Sequence, residues 1–122
     1  MARNVLVVDD SASMRALVCT TLKGLGFQTV EAGNGQEALE RIRTMPTLDM
    51  VITDLNMPVM DGITFVQNLR KLVALKFVPV LLLTTETRNE HKEKAKAAGA
   101  TGWLTKPFDP KQLTAVVQRI LP

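Results

Sequence analysis

A doubly wound α/β domain built on a five-stranded parallel sheet is the fold class the sequence predicts, on three observations. Apolar runs of strand length alternate strictly with segments of helical spacing, turn and cap residues separate them, and the runs end on a small set of chemically active residues. Those ends are Asp9-Asp10 after Val5–Val8, Asp54 after Met50–Thr53, Thr84 after Val80–Leu83, and Lys106 just after Trp103-Leu104. As parallel strands of one sheet, these runs bring all five positions to its carboxyl edge, where open α/β sheets hold their ligands.

The first unit joins Val5–Val8 to a helix carrying Met14, Leu17, Val18, Thr21, Leu22 and Leu25, closed by Gly24 and Gly26. Phe27–Glu31 alternates like a half-exposed strand, and Asn34 caps a helix through Gln36–Arg43 that ends before Pro46. Met50–Thr53 reads as a buried strand; Pro58 and Gly62 punctuate the next loop, and Ile63, Val66, Leu69 and Leu72-Val73 mark a third helix. Val78–Leu83 is the most apolar run and belongs at the sheet centre, with Pro79 tolerated only at its start. Thr87 with Glu90 forms a capping box for a fourth helix that stops at Gly99, and Thr101–Leu104 is a short fifth strand. Asp109 and Pro110 supply the N-cap and first-turn proline of a last helix carrying Leu113, Val116-Val117 and Ile120-Leu121.

The length of 122 residues suits one domain with a real core, and a composition 46% hydrophobic and 22% charged is that of an ordinary globular chain. No run approaches the roughly 20 apolar residues that cross a bilayer. Met1 to Asn4 lead straight into a strand without room for a signal peptide, so a cytoplasmic location without membrane association is expected. The chain stops as the fifth helix stops, leaving no room for a fused output domain. Residues 1–122 are therefore read as a single, monomeric domain whose signal leaves through its own surface. The lone Cys19 falls inside an amphipathic helix and reads as packing. The net charge of +3 is no nucleic-acid footprint, because acids and bases interleave from Arg88 to Lys94 and no basic run carries aromatics.

Three carboxylates crowded at adjacent strand ends repel one another, and a cation relieves that repulsion. All-oxygen ligands select a hard ion, Mg²⁺ or Mn²⁺, over zinc. Asp54 follows its strand alone, with Asn56 where a second acid might stand, and so suits a nucleophile that a phosphoryl group can reach. The Thr84 hydroxyl and the Lys106 ammonium then serve the remaining phosphoryl oxygens. Singly, each residue has an ordinary reading: Asp10 and Ser11 suit a helix cap, and Thr84-Thr85 are unremarkable at a strand end. Their joint occurrence at four strand ends separates the site from coincidence.

Asp9-Asp10, Asp54, Thr84-Thr85 and Lys106-Pro107, in that order and each at a strand end, resemble the response-regulator receiver domain of two-component signalling over essentially the whole chain. The resemblance implies a flavodoxin-like sheet of order 2-1-3-4-5 and phosphorylation of Asp54 by a CheA-like sensor histidine kinase. It also implies Mg²⁺ held by Asp10, Asp54 and the backbone carbonyl of Asn56, Asp9 on a metal-bound water, and a cis Lys106-Pro107 bond. The strings Asp9–Arg15, Leu83–Glu86 and Gly102–Phe108 look like the single-domain chemotaxis (CheY) branch, which signals by docking on another protein such as the flagellar motor switch and is served by phosphatases. A non-chemotaxis phosphorelay is the alternative. Trp103 departs from the Tyr or Phe usual on the fifth strand. An indole is larger and only donates hydrogen bonds, which puts the family's inward ring rotation in question. Lys92, Trp103, Thr105 and Arg119 mark the expected output face on the fourth helix, fifth strand and fifth helix. Asn56 and Glu86, each two residues beyond a site residue, are candidates for tuning dephosphorylation, with solvated loop an equal alternative.

Rival functions fit less well. Gly33-Asn34-Gly35-Gln36-Glu37-Ala38 matches a dinucleotide fingerprint but follows the second strand, and two aspartates at the first turn would repel a pyrophosphate or a flavin phosphate. An aspartyl-nucleophile phosphatase of the haloacid-dehalogenase type resembles a sequence with a second acid at the position of Asn56. A degenerate, binding-only receiver would lack the intact acidic set. His91, the single histidine, lies among Lys and Glu on an expected exposed helix and is not read as a phosphodonor.

Overall fold

Strands β1 (Asn4–Val8), β2 (Gln28–Ala32), β3 (Met50–Asp54), β4 (Val80–Thr84) and β5 (Gly102–Thr105) form one parallel sheet of order β2-β1-β3-β4-β5. Helices α1 (Ala12–Gly24), α2 (Gly35–Ile42), α3 (Gly62–Arg70), α4 (Asn89–Ala98) and α5 (Pro110–Ile120) connect and follow them. This is a computed structural model, and it describes residues 3–45, 47–85 and 88–121. None of its helices is long and apolar enough to cross a membrane.

Strand alternation decides which helices cover which face. Val5 and Val7 of β1, Met50 and Ile52 of β3, and Leu81 and Leu83 of β4 pack against Val18, Cys19 and Leu22 of α1 and Leu113 and Val117 of α5. Leu6, Val8, Val51, Val80 and Leu82 point the other way, onto Ala38 of α2, Phe65, Val66 and Leu69 of α3, and Ala95 of α4. Both faces of β1, β3 and β4 are therefore buried, which is why these strands read as continuous apolar runs. Cys19 belongs to the first of these cores, and burial pushes its thiol above the ordinary range, as a packing residue requires.

Several boundaries differ from the sequence reading. Phe27 stands outside β2, because Gly26 turns the chain at φ 92° and the Phe27 amide bonds back to the Leu22 carbonyl. α3 stops at Arg70, so Leu72 and Val73 do not continue its apolar stripe. Leu72 is extended, and a 3-10 turn over Val73–Leu75 buries Leu75 instead. α4 begins at Asn89 with Arg88 at the N-cap and no side-chain cap bond. Thr87, expected as that cap, and Pro46 lie outside the described residues. His91 is half-buried rather than exposed, with its Nε2 3.7 Å from Glu90 Oε1.

The caps at α2 and α5 match expectation: Asn34 accepts from the Glu37 amide and Asp109 from the Gln112 amide. The Gln112 side chain returns the bond to the Asp109 amide, closing a capping box not read from the sequence. Asp109→Ala removes the bond that the Asp109 carboxylate accepts from the Gln112 amide, and we expect it to lower unfolding free energy by about 1 kcal/mol in urea titrations.

Candidate functional site

The carboxyl edge of the sheet positions the reactive groups through backbone bonds. Beyond the end of β1, the Asp9 amide still bonds the Ala32 carbonyl at 3.1 Å, while Arg15 Nη1 holds the Asp9 carbonyl at 2.6 Å. Asp9 Oδ1 accepts from the Ser11 amide at 2.9 Å, which fixes its carboxylate as the chain turns into α1. Asp54 closes β3 opposite Leu83, and the Leu55 amide continues the ladder to the Leu83 carbonyl. Thr84 closes β4 fully buried, and its carbonyl accepts from the Lys106 amide at 2.7 Å. The Lys106-Pro107 peptide is cis.

Four of the expected side chains meet. One oxygen from each of Asp9, Asp10 and Asp54 lies within 4.8 Å of the others. Lys106 Nζ stands 3.3 Å from Asp9 Oδ2 and 3.3 Å from Asp54 Oδ1. Asp9 is 1% exposed and Asp54 7%, whereas Asp10 opens to solvent. Lys106 is one ammonium shared between the two buried carboxylates, with a third, that of Asp10, at the solvent margin of the cluster, so acids outnumber cations there. An all-oxygen cluster of this span suits a hard divalent ion, whose opposed ligands stand about 4 Å apart when each bond is about 2.1 Å. Asn56 is exposed on the loop after β3, beside a cavity of about 420 Å³ that Leu55, Asp61 and His91 also line. Glu86 lies outside the described residues.

Burial pushes the Asp54 carboxyl above the usual carboxylate range, and the neighbouring Asp9 adds to the rise against the opposing pull of Lys106. A raised folded-state value means that the native protein holds this proton more tightly than the unfolded chain. Its contribution to stability is complete below the ordinary carboxylate range and is lost as pH rises through the folded value. Asp54→Asn is therefore expected to stabilise the metal-free protein at neutral pH, with the gain vanishing on acidification. Thermal melts across a pH series read this directly, and a gain independent of pH would contradict it.

Some positioning residues escaped the sequence reading. Gly62, read as loop punctuation, opens α3 against the back of the site. A Cβ there would collide with the Asp54 carbonyl oxygen and lie 2.9 Å from Leu55 Cα. Its amide donates to the Leu55 carbonyl at 2.7 Å, and Asp61 before it caps α3 through the Thr64 amide at 2.8 Å. The Asp-Gly pair ahead of an apolar helical stripe was the available signal. Val59 holds φ at 70° while Met60 N bonds the Pro58 carbonyl at 2.7 Å, a tight γ-turn that a β-branched residue adopts only under constraint. No sequence signal pointed to it.

On the expected output face, Lys92 and Trp103 come together. Lys92 Nζ lies 6.0 Å from the Trp103 ring, and both line a groove of about 310 Å³ with Ala95, Ala100 and Gly102. The ring is half-buried against the core under α4, and its Nε1 is shielded from solvent without a hydrogen-bond partner. Thr105 pairs with Thr84 across β4 and β5, while Arg119 is exposed on the last turn of α5 and stands outside that groove. The dinucleotide-like stretch is closed to phosphate. Its Gly33 amide donates to Glu37 Oε2 at 3.3 Å, so a carboxylate occupies the position that a phosphate would need.

Sheet order and edge chemistry define a doubly wound α/β domain whose ligand edge is acidic and cation-suited rather than a phosphate-binding glycine loop. The sequence profile of the response regulator receiver domain matches residues 5–118. The chain belongs to the response regulator receiver family, and members of this family are signalling switches rather than conventional enzymes. They bind Mg²⁺ at an acidic pocket and interact with histidine kinases and downstream targets. The chain is 39% identical over 117 residues to chemotaxis protein CheY-3 of Vibrio cholerae, covering 95% of this chain and 89% of that one. It is 35% identical over 121 residues to the phosphate regulon transcriptional regulatory protein PhoB of Escherichia coli, covering 99% of this chain and 52% of PhoB. The chain thus spans about half the length of such transcriptional relatives. The solved structure of Vibrio cholerae CheY4 superposes with TM-score 0.94 at 46% identity, covering 98% of this chain and 99% of that one.

Proposed function

We propose that residues 1–122 act as one phosphorylation-activated switch in the cytoplasm, with Asp54 as the phosphoacceptor. The observation that carries this reading is the Asp9-Asp10-Asp54 cluster within 4.8 Å, bridged by Lys106. Asp10, Asp54 and the Asn56 carbonyl are the residues to hold Mg²⁺ and Asp9 its bound water; the ion supplies neutralising charge when bound. An Asp54 carboxylate oxygen attacks the phosphorus of a kinase phosphohistidine. The P–N bond breaks, its electron pair leaves with the imidazole, and the ring takes up a proton. Lys106 and the Thr84 hydroxyl steady the phosphoryl oxygens. Hydrolysis reverses the modification when water attacks phosphorus and the acyl P–O electrons return to Asp54, with Asn56 and Glu86 bordering that approach.

The signal leaves by the face of α4, β5 and α5, where the Lys92-Trp103 groove faces a protein partner. Likeness to CheY-3 and CheY4 favours a chemotaxis pathway in which that partner belongs to the flagellar motor. Intact mass after incubation with acetyl phosphate, with and without Mg²⁺, tests the chemistry for wild type and Asp54→Asn. One phosphoryl adduct requiring both Mg²⁺ and Asp54 is expected. No adduct, alongside a donor-competent control protein that labels, would leave a binding-only receiver.

A further inference from the structure

The connection between α3 and β4 carries the two most exposed large apolar side chains among the described residues, Val73 at 91% and Phe77 at 89%. They stand on an anchored turn. Leu75 and Val78 are buried beside them, and one guanidinium ties the turn down: Arg70 Nη1 bonds the Leu75 carbonyl at 2.9 Å while its Nη2 bonds the Gly99 carbonyl at 2.6 Å. Exposing Val73 and Phe77 on a fixed turn gains the fold nothing, and the same turn lines, through Leu72, Ala74 and Leu75, a recess of about 500 Å³ whose other apolar walls are Ile42, Met45 and Leu48. The surrounding charge is positive. The side chains of Arg43 at the recess and of Lys71 are exposed and make no ion pair or hydrogen bond among the described residues, and the Lys76 ammonium lies 5.9 Å over the Phe77 ring. Asp49, the acid at the recess, is engaged by the Asn4 amide at 2.7 Å.

We infer that this face docks an acidic, amphipathic helical segment of another protein. Its apolar side chains enter the recess and cover Val73 and Phe77, and its carboxylates meet Arg43, Lys71 and Lys76. A second copy of the chain would set the same cations against one another. The recess lies where β4 begins, at the opposite edge of the sheet from Asp54, so docking there recruits the domain whatever its phosphorylation state.

The test is a selection on the full chain from two libraries of helical peptides with the same randomised apolar face, one with Glu and Asp opposite, the other with Lys and Arg. Binders from the acidic library alone are expected, with NMR shifts confined to the recess and residues 71–77. Their affinity is expected to be equal with and without acetyl phosphate and Mg²⁺, and about tenfold weaker for Phe77→Ser or for Lys71→Glu with Lys76→Glu. The Phe77 side chain is solvent-facing, so Phe77→Ser keeps the wild-type melting temperature. An acidic library without binders, equal enrichment of the basic one, or shifts elsewhere would overturn the proposal. So would self-association lost in Phe77→Ser, or binding to phosphatidylglycerol vesicles with no peptide binding, which would hand the patch to a second copy or a membrane.

Discussion

Lys106→Ala is expected to lower the stability of the metal-free protein at neutral pH by about 2 kcal/mol. Removing one partner of a buried ionic cluster costs roughly 3–5 kcal/mol, and the 16% exposure of the Lys106 side chain trims that figure. The loss arises because Asp9 and Asp54 would face each other without a cation. Without Lys106 the Asp54 carboxyl rises further, so the deficit is greatest at neutral pH and shrinks as acid protonates Asp54. Mg²⁺ should also recover part of it, through binding to the folded form alone. Urea titrations over a pH series, with and without Mg²⁺, separate these effects. Acetyl phosphate is expected still to label the variant while its binding to the downstream partner weakens. A variant as stable as wild type at neutral pH would mean that Lys106 does not hold the acids together.

Gly62→Ala is the second large effect, expected to cost roughly 3 kcal/mol and to lower the phosphoryl adduct yield at Asp54. Alanine gains up to about 1 kcal/mol of helix propensity at the first turn of α3. Against it stands a collision with the Asp54 carbonyl and a 2.9 Å approach to Leu55 Cα, both backbone atoms rather than the ends of flexible side chains. The collision wins, because yielding to it displaces the end of β3 and the carboxylate with it. Denaturation paired with intact-mass phosphorylation tests both halves, and a variant stable and fully labelled would refute the steric account.

The strands and the edge cluster were legible because each depends on few, local signals. Continuous apolar runs mark strands buried on both faces, and a polar residue at the end of each run marks the edge. The end of α3 was not legible: Leu72 and Val73 keep the helical spacing of Leu69, and only the three-dimensional path shows Leu75 taking the buried place. Gly62 was visible as a glycine but not as the floor beneath Asp54, since that role depends on contact across the β3–α3 loop. Val59 gave no warning, because its residue type argues against the backbone angle it adopts. Of the residues read as an output face, Trp103 and Lys92 meet in the structure, but the shielded indole nitrogen is a tertiary fact that the sequence does not carry.

β5 is hydrogen-bonded along one side only, to β4, and all four of its residues are half-buried where β1, β3 and β4 are sealed on both faces. It is also the strand that leads to Lys106 and carries Trp103. The ladder that joins the acidic pocket to the outer face is therefore expected, like that of β2 at the other edge, to open in hydrogen exchange before the strands between them. Under the proposed switch, a signal from the pocket would have only to reset this edge, at the cost of a local opening, while the doubly covered strands remain a fixed frame.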